Sequence, residues 1–129
     1  MIAVVIIAIL ATVALPSYQN YMIKSKIREA QSNLVTLSLA AENAYQRSLS
    51  YPRNSLNSTE AIQLDENFKT WNPSSKTFQY QYTPLNNGLD FQIKATGHES
   101  SVLNCQLTLN NRGERNITNC AIQDTWINR

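Results

Sequence analysis

The sequence is short of most of what a catalyst or a metalloprotein needs. It has one His and two Cys, too few for a zinc finger or any cage built from His and Cys alone. It holds no Gly-rich phosphate cradle, no Ser/His/acid set and no metal motif, so neither an enzyme nor a cofactor is expected. Three Gly and four Pro in 129 residues exclude collagen-like and low-complexity chains. Charge of either sign is scarce: the formal excess is +2 and the pI is near 8.6. A dedicated nucleic-acid domain is expected above a pI of roughly 9, with its basic residues clustered on one face. What remains is a chain of one-domain length whose 43% hydrophobic content suffices for a packed core and excludes wholesale disorder.

Charge is also missing locally. Met1 to Ile23 contains no ionisable side chain apart from Tyr18 and Tyr21, and the first fifteen positions are apolar except Thr12. As a helix those fifteen would reach about 22 Å, and the whole uncharged stretch about 34 Å, against a hydrocarbon core of ~30 Å. Tyr18 and Tyr21 fall where interfacial aromatics belong, and Lys24, Lys26 and Arg28 follow as a basic flank. A secretory signal peptide fits poorly, because nothing basic precedes Ile2 and Pro16-Ser17-Tyr18 makes a poor cleavage site. Residues 1–23 are therefore expected to form a membrane or filament-core helix through Ile2, Val5, Ile6, Ile9, Leu10, Val13 and Leu15, and residues 24–129 a head. Pro16, which removes a helical hydrogen bond, is expected to break or kink the helix.

Beyond Lys24 the apolar period becomes helical. Ile27, Ala30, Leu34, Leu37, Ala41, Ala44 and Ser48 form one stripe, and the helix is expected to end near Ser50, before Tyr51-Pro52. Ile27, Ala30, Leu34, Leu37 and Ala41 are the candidate contacts from helix to sheet. Residues 52–76 read as a connection rich in turn formers, with a short helix over Ala61–Phe68 capped by Ser58 or Thr59. Strict alternation follows at Phe78–Tyr82 and Leu89–Ala95, with Asn86-Asn87-Gly88 supplying the positive-φ positions of a hairpin. Cys105–Leu109, a turn at Asn110–Gly113 and a weak strand at Arg115–Thr118 complete an α+β chain: one long helix, then an antiparallel meander of 3–4 strands.

These residues resemble the type IV pilins. Ala14-Leu15-Pro16-Ser17-Tyr18-Gln19-Asn20-Tyr21 is similar to the end of the family's apolar N-terminal helix. Arg28-Glu29-Ala30, the Thr77-Phe78-Gln79-Tyr80 strand and two cysteines framing Leu107-Thr108-Leu109 and Asn111-Arg112-Gly113 resemble its PilE-type minor pilins. The resemblance implies a helix held in the bacterial inner membrane with its head in the periplasm, then drawn into an extracellular filament. Its partners would be other pilin subunits, the pilus assembly machinery and inner-membrane lipid. The family's basic leader, its processing site and its assembly Glu would lie upstream, Met1 corresponding to an internal Met of the helix, and the chain as written is expected to be neither processed nor assembled. In such an exported head Cys105 and Cys120 are expected to form a disulfide, the alternative being two buried thiols; the bridge would present residues 110–119 as a stapled surface loop.

The resemblance leaves several roles open: adhesion, twitching motility, secretion or competence. A structural minor pilin is the leading reading. A type II secretion pseudopilin, a DNA-uptake pilin acting as a DNA-binding module and a plain membrane-anchored periplasmic domain are the alternatives. Arg112 and Arg115 could touch DNA phosphate, but residues 105–129 carry three Arg against Glu114 and Asp124, so DNA contact is the lesser reading. His98 and the acids Asp65, Glu66 and Asp90 lack ligand spacing and read as solvated surface. Asn57-Ser58-Thr59 and Asn116-Ile117-Thr118 fit the short glycosylation pattern, which arises often by chance.

Overall fold

A computed structural model describes residues 1–73 and 76–120; within the first helix, residues 13–17 are described as helical backbone only. Helix α1 spans Ile2–Ser48. The backbone stays helical through Pro16, but the side chains of Val13, Leu15 and Pro16, and with them the expected break, lie outside the described residues. The helix stops two residues before the expected Ser50. Leu49 takes the left-handed conformation (φ 61°) and its N–H caps the carbonyl of Tyr45 at 2.7 Å, a common way to satisfy a helix end. Tyr51 can then turn away and donate its N–H to the carbonyl of Gly88 at 2.8 Å.

The two halves of α1 have different surroundings. Ile2, Val5, Ile6, Ile9 and Leu10 are all more than half exposed, whereas Ile27, Ala30, Leu34, Leu37 and Ala41 are fully buried against the sheet. Among the described residues no helix is long and apolar enough to cross a membrane. The described apolar run before residue 13 amounts to about 17 Å of helix, so the structure does not by itself supply the single span expected from residues 1–23.

Helix α2 spans Thr59–Leu64, with Ser58 as N-cap accepting from the N–H of Ala61 at 3.1 Å. It is shorter than the expected 61–68 helix because Asp65 is extended and its side chain starts a turn by accepting from the N–H of Asn67. The sheet is a meander in the order β1-β2-β3-β4, comprising Phe78–Leu85, Asp90–Gly97, Gln106–Asn110 and Arg115–Thr118, all antiparallel. The first hairpin is longer than its alternating core predicts: Phe78 pairs with Gly97, Leu85 pairs with Asp90, and Leu89 belongs to the turn. Asn86, Asn87 and Gly88 have φ of 52°, 57° and 85°. Gly88 is required at its position, since a Cβ there would stand 3.0 Å from the carbonyl oxygen of Tyr51 and 3.2 Å from Cγ of Arg53.

One face of the sheet supplies the core. Phe78, Tyr80, Tyr82, Phe91, Ile93, Ala95, Leu107 and Leu109 point at α1, while Phe68 and Trp71 from the long connection close its flank. Cys105 and Cys120 are bonded, their Cα atoms 4.4 Å apart. The residues between them are mainly a β-hairpin and not the loop expected, so the bridge clamps the open end of the β3–β4 pair.

Candidate nucleic-acid interface

The topology gives the head two ends. The proximal end, beside the middle of α1, holds the disulfide and a clip in which Lys26 Nζ reaches Glu99 Oε2 at 2.7 Å and Ser101 Oγ at 3.0 Å. That contact holds the Glu99 carboxyl below the usual carboxylate range. The distal end gathers three segments remote in sequence: the Leu49–Arg53 exit from α1, the Asn86–Leu89 turn and the Asn110–Glu114 turn.

Asparagine side chains build that distal end. Asn110 Oδ1 accepts from the N–H groups of Arg112 and Glu114 at 3.0 and 2.9 Å, and its Nδ2 donates to Glu114 Oε2 at 2.7 Å. Such local bonds are why Asn favours turns. Asn111 stitches the turn to the first hairpin, its Oδ1 accepting from the N–H of Phe91 at 3.1 Å and its Nδ2 donating to Asp90 Oδ1 at 2.8 Å. Asn86 Nδ2 donates to the other Asp90 oxygen. Asp90 is therefore a hub between two turns, and these donors, aided by Arg112, hold its carboxyl below the ordinary range. Arg112 Nη2 stands 3.7 Å from Asp90 Oδ2 while two-thirds of its side chain is open to solvent.

Arg53 lies over Gly88 on the same end. Gln92, Thr108, Asn110, Glu114 and Asn116 line an open recess on the outward sheet face, with Arg115 at its edge; Arg115 itself pairs with the buried Leu109, so its half-buried side chain lies on the other face, towards the core. That face is almost wholly amide and hydroxyl. Gln81, Lys94, Thr108 and Asn116 form one cross-strand row in which Lys94 is the single charge. The arrangement offers exposed cations and many short polar groups that can both donate and accept, which suits phosphates and base edges.

Of the remaining residues considered from sequence, His98 and Glu66 are exposed, as are Asn57 and Asn116 of the two short sequons. Among the described residues no group of three His, Cys, Asp or Glu is gathered where a metal could sit. Net charge had hidden the distal cluster, because Arg53 reaches it only through the tertiary fold. The legible signal was the repeated pattern Asn86-Asn87-Gly88 and Asn110-Asn111-Arg112-Gly113, two Asn-Asn turns which the meander brings to one edge.

A long N-terminal helix laid on a four-stranded antiparallel meander is the type IV pilin fold. The chain is structurally similar to a type IV pilin from Shewanella oneidensis, with a TM-score of 0.53, 21% identity, and coverage of 81% of this chain and 98% of that one. No curated protein is significantly similar in sequence. A family model described as type IV minor pilin ComP, DNA uptake sequence receptor, matches residues 16–109, and the chain belongs to that family. It is a pilin and not an enzyme. Membership also reverses the order of the sequence readings, placing the DNA-uptake alternative ahead of a structural pilin without a defined ligand and ahead of a pseudopilin.

Proposed function

We propose that the chain is a minor pilin of DNA uptake. Its apolar N-terminal segment is held in the inner membrane and, in a subunit that carries the family's leader and assembly Glu, is incorporated among other pilin subunits by the assembly machinery; its head binds DNA through the distal end. The observation that carries this reading is the family match over residues 16–109. The geometry supports it in two ways. Arg53 and Arg112 are cations presented near fixed amides at the distal end, which can combine phosphate attraction with base contact. Ile2, Val5, Ile6, Ile9 and Leu10 form an exposed apolar surface, which lipid or neighbouring copies of the helix would cover; in the sequence Val13 and Leu15 continue the apolar run.

The test is deletion of the gene in the strain that carries it, with pili counted by electron microscopy and transformation measured with the strain's own genomic DNA. The expected outcome is retained pili and lost transformation, restored by a complementing copy. Transformation at the parental level would overturn the proposal. A defect in protein secretion with normal DNA uptake would favour the pseudopilin reading instead.

A further inference from the structure

We infer that Arg112 is a base-reading residue directed at a guanine edge, and that Asp90 is the positioning residue that aims it. This inference rests on the DNA-uptake reading and specifies how the distal end would discriminate sequence. An arginine used only to attract phosphate needs reach and charge but no orientation. Arg112 is held at its backbone and drawn to one side at its tip. Its backbone is fixed by the 3.0 Å bond from its N–H to Asn110 Oδ1, and its guanidinium faces Asp90 Oδ2 at 3.7 Å.

Asp90 cannot simply follow the guanidinium. Asn111 holds one carboxylate oxygen at 2.8 Å and Asn86 holds the other, and only 17% of the Asp90 side chain is exposed. The carboxylate is thus anchored across two turns, and the arginine is the mobile partner. An anchored carboxylate has two effects. It offsets part of the guanidinium charge, which weakens undirected phosphate attraction. It also restricts the planar fork, so less freedom is lost when the outward N–H groups meet two acceptors in fixed geometry. Guanine O6 and N7 in the major groove provide that acceptor pair.

The experiment compares the full chain in detergent micelles with its Arg112→Ala and Asp90→Asn variants, each checked for unchanged thermal melting. The probe is a pool of short duplexes with a randomised central stretch; the bound fraction is sequenced, and affinities are measured across salt concentrations. For the parent protein a consensus with at least one fixed guanine is expected. Arg112→Ala should lose that guanine alone, with discrimination there falling roughly 5- to 150-fold. Asp90→Asn, nearly isosteric, should blur the same guanine while mixed-sequence affinity rises at low salt and the salt dependence steepens by about one phosphate contact. Two outcomes overturn the inference while leaving DNA binding intact. One is an Arg112→Ala variant weakened equally on every sequence with a shallower salt slope. The other is an Asp90→Asn variant with unchanged guanine preference. A parent protein that retains no duplex at any salt overturns the DNA-uptake reading itself, and this inference with it.

Discussion

Asn33 shows at the scale of one residue how the head is joined. Buried on the sheet-facing side of α1, it donates through Nδ2 to Tyr80 Oη at 2.9 Å, and its carbonyl accepts from Trp71 Nε1 at 3.0 Å. One side chain and one carbonyl thus tie helix, sheet and connection. Asn33→Ala keeps the Trp71 bond but strands the Tyr80 hydroxyl, and is expected to cost about 1–3 kcal/mol in denaturant melts. Burial, above all, pushes Tyr80 up to about 12, and burial together with the hydrogen bond to Glu42 does the same for Tyr51. These acids have a folded pKa above the unfolded value near 10, so folding favours their protonated form. The stability they contribute is fully present below pH ~10 and is lost as pH rises from there towards 12. Thermal melting followed from pH 8 to 11.5 should be flat at first and then fall, and the fall should be smaller but not absent in Tyr80→Phe, since Tyr51 and the buried Tyr82 are raised as well. At Gly97 a Cβ would stand 1.9 Å from the carbonyl oxygen of Val102, a backbone atom that cannot rotate away. Gly97→Ala should therefore destabilise by about 1–3 kcal/mol or more.

At the scale of elements, α1 is one helix with two environments, and that division was legible. The uncharged run and the 3-4-3-4 stripe from Ile27 each follow directly from residue order, because a helix converts spacing into facing. The alternation of β1 and β2 and the Asn-Asn-Gly turn between them were legible for the same reason. Element ends were not. Leu49 caps α1 because the chain must turn to meet Gly88, a partner about forty residues away, and α2 stops early because Asp65 bonds locally to Asn67. Leu34, fully buried beneath the sheet, is the element-scale test: Leu34→Ala should cost about 2–5 kcal/mol and loosen α1 from the sheet, read as lost near-ultraviolet dichroism with helix content largely kept. Cys105→Ser should cost about 3 kcal/mol for a loop of this length, lowering the melting temperature without removing strand content.

At the scale of the whole molecule, the stem and the proximal end secure the head while the distal end is left to function. The Cys105–Cys120 bond and the Lys26 clip lie beside α1, so the arginine-bearing turns are positioned by their own asparagines and not by the staple. This separation was the part least readable in the sequence. Counting charges along residues 105–129 set Arg112 and Arg115 against nearby acids, whereas the fold adds Arg53 from another segment and commits Asp90 to its two asparagines. On the proposed function this head recognises DNA by sequence. The most direct measurement is equilibrium competition on the purified full chain in micelles: a labelled genomic duplex enriched by the protein is displaced by the same duplex unlabelled or by a base-shuffled version of equal length. The shuffled duplex should compete at least tenfold less well at physiological salt, consistent with one or more lost base contacts at about 1–3 kcal/mol each. Equal competition by both duplexes, or no binding of either, would contradict it.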